Sequence, residues 1–243
     1  MAGIGKFALD TIDRINGARA IDGVCGILRQ VGAGYGYTSF LITRVPMPGE
    51  TLAQHVMLSG WPPEWMERYN SNDYVHVDPV ANQIRTSVRP FLWSQVRYDP
   101  RRNRRAHQVM TEATEFGMRD GFTVPIYGYN GYQACVTMGG DPQEVSAREL
   151  SALHMISVFG FSAVQALIAA KPPRVEPETF NLTERELEVL KWTSVGKTAW
   201  EISSILGISQ RTVETHLKGV GIKMNVVNKI HAVALAIRTR LIS

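Results

Sequence analysis

Three prolines fall within one eleven-residue stretch, KPPRVEPETFN at 171–181. Proline fixes its own φ and has no N–H to donate, so neither a helix nor a sheet ladder runs through such a segment. The stretch reads as a stiff, extended connector at 171–181, separating a front part, 1–170, from a back part, 182–243. A chain of 243 residues is long enough to give each part its own core.

Charge divides at the same place. Residues 1–170 carry 15 Lys+Arg and 15 Asp+Glu, while residues 171–243 carry 11 and 7, so the whole net excess of +4 lies in the back part. A neutral front and a basic tail fit a chain whose C-terminal end meets phosphate. An exception is the run Arg101, Arg102, Arg104 and Arg105, which reads as a solvated helix start. The two cysteines, Cys25 and Cys135, make neither a disulfide framework nor a zinc site, and point to a reducing cytoplasm. The N-terminus does not read as a secretory signal, and no stretch approaches the apolar length of a membrane span.

The back part reads as all helix. Thr183 and Glu186 make a capping box, with Leu182 and Leu187 placed as a hydrophobic staple, and that helix runs to about Ser194. In TAWEISSILGISQRTVETHLK, 198–218, Thr198 and Glu201 make another capping box. Ile202, Ile205 and Leu206 supply its apolar side. Gly207 follows where a left-handed residue is wanted, and Ser209 caps the next helix. This is a helix-turn-helix pattern. In the second helix Val213, Leu217, Val220 and Met224 share one arc, while Arg211, Thr215 and Lys218 share the opposite arc with Glu214 on its flank. Those polar types suit base edges and phosphates in a major groove. A last helix, about Asn228 to Leu241, aligns Ile230, Val233, Ala234, Ile237 and Leu241.

The front part mixes periods. Helices are expected at 7–31, from Pro62 and Pro63 through Tyr69, at 103–117 and from Ser146 to Ala170. Strands are expected at 36–45, 52–58, 88–93, 122–127 and 132–138, with a hairpin turn at Tyr129-Asn130-Gly131. Helices flanking a mostly antiparallel sheet make an α+β chain: an N-terminal α-β-α sandwich joined to an all-α helix-turn-helix domain. The apolar residues of 146–170 need burial on more than one side, which suits a helix that packs on its own sheet and meets a twin.

The segment from Leu182 to Val226 resembles the DNA-binding domain of the LuxR family, with Glu186, Leu190, Gly196 and TVETHL at its signature positions. That resemblance implies that Arg211, Glu214, Thr215 and Lys218 face the groove, and that Asn228 and Lys229 meet the backbone. In the front part, Trp65-x3-Tyr69-x8-Asp78-Pro79, then Trp93, Gly121 and Thr137, are similar to the autoinducer-binding domain of acyl-homoserine lactone receptors. The resemblance spans nearly the whole chain.

The chemistry agrees with it. An acyl-homoserine lactone offers one N–H, two carbonyls and an apolar acyl group. Its receptor needs an acceptor, donors and an apolar sleeve. Asp78 would take the N–H, Trp65 would donate to the lactone carbonyl, and Tyr69 to the acyl carbonyl, with Thr137 adding a hydroxyl. Trp93 would pack on the lactone ring, and Trp61, Tyr35, Phe40 and Val80 would form walls. An enclosed, ionised Asp78 without a donor would be costly until ligand arrives.

The expected protein is a homodimeric transcription factor that binds an N-acyl-homoserine lactone and palindromic promoter DNA, with RNA polymerase as a further partner. No metal, other cofactor or catalytic residue is read from the sequence. Two rivals remain at this stage: a regulator that ligand releases from DNA, and an enzyme acting on the lactone.

Overall fold

In a computed structural model the described residues are 3–128, 133–142, 144–170, 180–239 and 241–242. Most of the connector and the turn at 129–131 lie outside them. The chain divides into two compact units, Met1–Lys171 and Pro172–Ser243.

The first unit is built on a five-stranded antiparallel sheet ordered β2-β1-β5-β4-β3. The strands are β1 (Tyr37–Arg44), β2 (Val56–Ser59), β3 (Phe91–Leu92), β4 (Asp120–Tyr127) and β5 (Gln133–Gly140). Side chains on a strand alternate between faces, so one sheet serves two cores. Ile42, Val124, Val136 and Met138 pack with α1 (Gly3–Asn16), α2 (Ile21–Ala33) and α6 (Ala147–Ala169). Leu41 and Cys135 pack on the other side with α3 (Pro63–Ser71), α4 (Pro79–Ile84) and α5 (Arg104–Glu115). This is the expected α-β-α sandwich.

Local readings are corrected in three places. The single helix expected at 7–31 is two, because Gly17 to Ala20 interrupt it and let α1 and α2 pack separately. Only the end of 52–58 is strand: Thr51 and Gln54 exchange capping bonds and wind Leu52–Gln54 into a 3-10 turn. The strand at 88–93 shrinks to two residues at the sheet edge, and Trp93–Gln95 form another 3-10 turn. The helix from Ser146 is capped by its own serine and Glu149 as expected. It buries Leu153, Ile156, Phe161 and Val164 and exposes Met155, Val158, Phe159 and Ile168. By length and composition α6 could cross a membrane, but its inner face is part of the sandwich core.

The second unit is four helices: α7 (Glu184–Ser194), α8 (Ala199–Leu206), α9 (Gln210–Lys223) and α10 (Lys229–Arg238). Both predicted capping boxes form, at Thr183/Glu186 and Thr198/Glu201. Gly207 ends α8 in the left-handed region, φ +66°. Two apolar assignments fail. Ile205 is exposed, and in α10 the inward residues are Ala232 and Ala236, whose small size lets the helix lie close to its neighbours. Ile230 and Ile237, expected inside, point to solvent.

Gly121 decides how closely the second core approaches the sheet. A methyl group there would collide with the Trp93 ring and the Met138 carbonyl. Gly121→Ala is therefore expected to destabilise the first unit by roughly 1–3 kcal/mol, as overpacking does, measured by urea unfolding. An unchanged midpoint would contradict this packing.

Candidate functional site

Between the sheet and α3–α5 lies a cavity of about 50 Å³. Trp61, Trp65, Tyr69, Asp78, Val80, Trp93 and Thr137 all line it. Two predicted wall residues do not. Phe40 points to the opposite face of the sheet, into the core with α1, α2 and α6. Tyr35 precedes β1 and borders a separate surface groove beside Phe7, Arg14 and Gln30.

Each wall has a local cause. Pro62 and Pro63 start α3, and Trp65 and Tyr69, four residues apart, share its inner face. With Trp61 they form an aromatic cluster: ring centroids lie 5.1 Å apart for Trp61–Tyr69 and 5.6 Å for Trp65–Tyr69. Phe116 adds a further ring 5.3 Å from Trp65. Asp78 is the N-cap of α4, and Pro79 occupies the first helical position. Its Oδ1 accepts from the Val80 N–H at 2.7 Å, and its Oδ2 accepts from the Tyr69 hydroxyl at 2.7 Å. The capping role of Asp-Pro and a place in the cavity therefore coexist in one residue.

This corrects one expectation. Asp78 already has two protein donors, and the hydroxyl assigned to a ligand carbonyl is given to Asp78 instead. Burial pushes the Asp78 carboxyl above the usual aspartate value, opposed by its bonds from Tyr69 and the backbone. Burial, and then the Asp78 charge, push the Tyr69 hydroxyl well above its ordinary value. Each carboxylate oxygen can accept more than one bond, so Asp78 retains acceptor capacity. The Trp61 indole N–H, by contrast, is buried and unpartnered. Trp93 donates to Thr123 Oγ1 at 2.9 Å and to Thr137 Oγ1 at 3.3 Å.

Sequence reading missed Leu41, Thr43, Leu52, Val75, Ala81, Ile84, Val109, Met110, Ala113 and Cys135, which also line the cavity. Alternation in β1 and the i, i+4 stripe of α5 carried part of that signal. The Cys135 thiol is pushed up to about 12, first by burial and then by Asp78, so it stays protonated at neutral pH.

In the second unit Arg211, Glu214, Thr215 and Lys218 are all exposed on α9. Thr215 donates its hydroxyl back to the Arg211 carbonyl at 2.8 Å, and Gln210 donates to Glu214 at 2.9 Å. Asn228 caps α10, accepting from the His231 N–H at 2.8 Å, and Lys229 is exposed beside it. Glu186 ties the scaffold together: it accepts from the Thr183 N–H and from Lys223 Nζ, each at 2.7 Å. Gly219 leaves room for that carboxylate.

Burial raises the Glu186 pKa, but the bonds from Lys223 and Thr183 outweigh it, and the net value is lowered. A carboxylate with a lowered folded pKa contributes stability that is complete above its unfolded value and lost as pH falls through the folded one. Acid unfolding of the helical unit is thus expected to begin below about pH 4.5, near the ordinary glutamate value. Glu186→Gln should flatten that acid limb, as followed by circular dichroism. An identical pH profile in the variant would remove Glu186 from this role.

Comparison with known proteins agrees with both halves. Residues 20–164 match the autoinducer binding domain, and residues 180–236 match bacterial regulatory proteins of the luxR family. The chain is 40% identical to the transcriptional activator protein BjaR1 of Bradyrhizobium diazoefficiens, over 98% of its own length and 97% of that protein. It is 35% identical to the HTH-type quorum sensing-dependent transcriptional regulator RpaR of Rhodopseudomonas palustris, over 98% of this chain and 96% of that protein. In fold it is similar to Escherichia coli SdiA, with a TM-score of 0.68 covering 98% of both chains at 22% identity. The chain belongs to the LuxR family of quorum-sensing transcriptional regulators, with an autoinducer-binding domain and a helix-turn-helix DNA-binding domain.

Proposed function

We propose that the autoinducer is an N-acyl-homoserine lactone and that it binds around Asp78. The observation that carries this reading is a buried carboxylate facing a mostly apolar cavity, walled by Leu41, Leu52, Val75, Ile84 and aromatic rings, with Thr43, Arg44 and Thr137 as further polar residues in its lining. Asp78 takes the ligand N–H. Trp65 donates to the lactone carbonyl, and the unpartnered Trp61 N–H, rather than Tyr69, donates to the acyl carbonyl. A buried donor left unpaired costs about 1–3 kcal/mol, so a ligand carbonyl at Trp61 removes a standing cost. Trp93 and Val80 flank the ring. The space of about 50 Å³ holds one or two waters, so side chains must give way for a whole ligand. The unbranched Met110 is suited to this.

The regulator works in the cytoplasm as a homodimer, reading a palindromic promoter and meeting RNA polymerase. Support for the dimer comes from the exposed apolar residues of α6 and from Ile230 and Ile237 of α10. Arg211 and Lys218 reach bases or phosphates, Thr215 offers its methyl and lone pairs, Glu214 sits beside them, and Asn228 and Lys229 hold the backbone. The lactone is read as a ligand and not a substrate, in keeping with a family of transcriptional regulators.

Gel shifts of the full chain on inverted-repeat duplexes, with and without a panel of acyl-homoserine lactones, test the whole reading. Ligand-dependent binding in either direction supports it, and failure on every duplex under every condition defeats it. Asp78→Asn removes a charge-assisted bond worth about 1.5–3 kcal/mol. It should weaken lactone binding at least tenfold by calorimetry. Ligand binding needs Asp78 ionised, so affinity should fall with acidification while the pH is still above the ordinary aspartate range. Asp78→Asn should abolish that dependence, and an unaltered pH profile would separate Asp78 from the ligand.

A further inference from the structure

Beneath the cavity, Thr123 and Thr137 face each other on paired strands β4 and β5, with their hydroxyl oxygens 2.7 Å apart. Thr137 lines the cavity and Thr123 does not. Thr123 is fully buried, and its Oγ1 accepts the Trp93 N–H at 2.9 Å. Gly121 and Gly139 hold the Trp93 ring in place, because a side chain at either would run into it.

Counting protons gives this chain a direction. Thr123 has one hydroxyl proton, and Thr137 Oγ1 is its only side-chain partner acceptor among the described residues. If Thr137 donated to Thr123, the Thr123 proton would be left unpaired in a site with no solvent access. If Thr123 donates to Thr137, the fully buried hydroxyl is satisfied, and the proton without a protein acceptor is that of Thr137, which lines the cavity. The second arrangement keeps the donor in the closed core satisfied and places the unpaired one at the cavity wall, where a ligand can take it.

We propose that Thr123 is a positioning residue that makes Thr137 a hydrogen-bond donor toward the acyl carbonyl of the ligand. The sequence Trp93 N–H to Thr123, Thr123 O–H to Thr137, Thr137 O–H to ligand forms one polarised chain, in which each bond strengthens the next. The cavity floor then favours ligands carrying a strong acceptor at that point and disfavours those presenting a donor. This rests on the acyl-homoserine lactone reading, and adds to it a residue outside the cavity wall.

The test uses the full chain and the tightest binder among butanoyl-, hexanoyl- and octanoyl-homoserine lactone, beside its thioamide analogue. The analogue keeps the N–H for Asp78 but offers sulfur, a weaker acceptor, in place of the carbonyl oxygen. Thr137→Val should weaken the amide ligand by about tenfold and Thr123→Val by about threefold, the range of one hydrogen bond and of its support. Both losses should shrink clearly on the thioamide, and Thr123→Ser should restore wild-type affinity. A purely structural role for Thr123 would lower affinity for both ligands alike, and that result overturns the proposal, as does failure of Thr123→Ser to rescue. Should Thr123→Val not fold, Thr137→Val against Thr137→Ser decides on the same ligand pair. If the wild-type chain binds none of the three lactones, the acyl-homoserine lactone reading falls first. That outcome is distinct from equal losses on both ligands.

Discussion

Burying the Asp78 carboxylate is the constraint around which the second core of the N-terminal unit is arranged. A buried charge needs donors, and they must come from elements fixed in place. The Val80 N–H is fixed because Asp78 itself begins α4, and the Tyr69 hydroxyl is fixed because α3 is locked by its two prolines and its aromatic neighbours. The segment 61–80 folds as two short helices because α3 ends at Ser71, Asp73 turns in the left-handed region, and Tyr74–His76 form a 3-10 turn before Asp78 caps α4. Asp-Pro cannot lie in a helix interior without disrupting it. The carboxylate thus starts one helix, anchors another, and leaves acceptor capacity facing the cavity.

Much of this was legible from residues whose local rule and functional role coincide. A spacing of four on a Pro-started helix puts Trp65 and Tyr69 on one face, and both line the cavity. Thr183, Thr198 and Gly207 were placed because capping is decided within a few residues. The failures are equally local in origin. Phe40 and Tyr35 are aromatic neighbours of the site in sequence, but strand parity and an irregularity between Tyr37 and Ser39 put Phe40 on the far face. In α10 the apolar stripe was real and its direction was misread. Alanines at 232 and 236 are the close-packing surface, and the larger isoleucines stay outside. Size complementarity with α7 and α9 set that choice, and no periodicity in α10 alone contains it. The pairing of Tyr69 with Asp78 is likewise absent from any local pattern, because the two lie nine residues apart on separate helices and meet only when those helices pack.

The sheet makes one division of labour possible. Its face toward α1, α2 and α6 is closed with apolar residues, Phe40 and Phe122 among them. Its other face carries Thr123, Thr137 and Cys135 among apolar neighbours. A strand pays no penalty for this asymmetry, because successive residues never share a side. Glycines at 121 and 139 leave room for the Trp93 ring, whose N–H reaches the hydroxyl pair. The polar floor is therefore specified by strand residues, whose positions hold to a fraction of an ångström, while the polar roof comes from helix α3 and the start of α4.

That contrast bears on how a ligand could act on this unit. A cavity of about 50 Å³ is far below the few hundred typical of ligand pockets, so admitting an autoinducer means moving one wall. The sheet is the stiffer wall, being hydrogen-bonded on both sides at β1, β5 and β4. The wall that yields must be the helical one, from α3 to α5, whose contacts are side-chain packing rather than ladder bonds. Ligand would then exchange packing between side chains for packing onto ligand while Asp78 keeps its two bonds. A state that binds ligand is stabilised in proportion to how far ligand exceeds its dissociation constant, about 2.7 kcal/mol at a hundredfold excess. That is a sizeable share of the 5–15 kcal/mol by which a typical domain is stable. Ligand occupancy can therefore set how much folded protein is present at all, without any separate switch element in the sandwich.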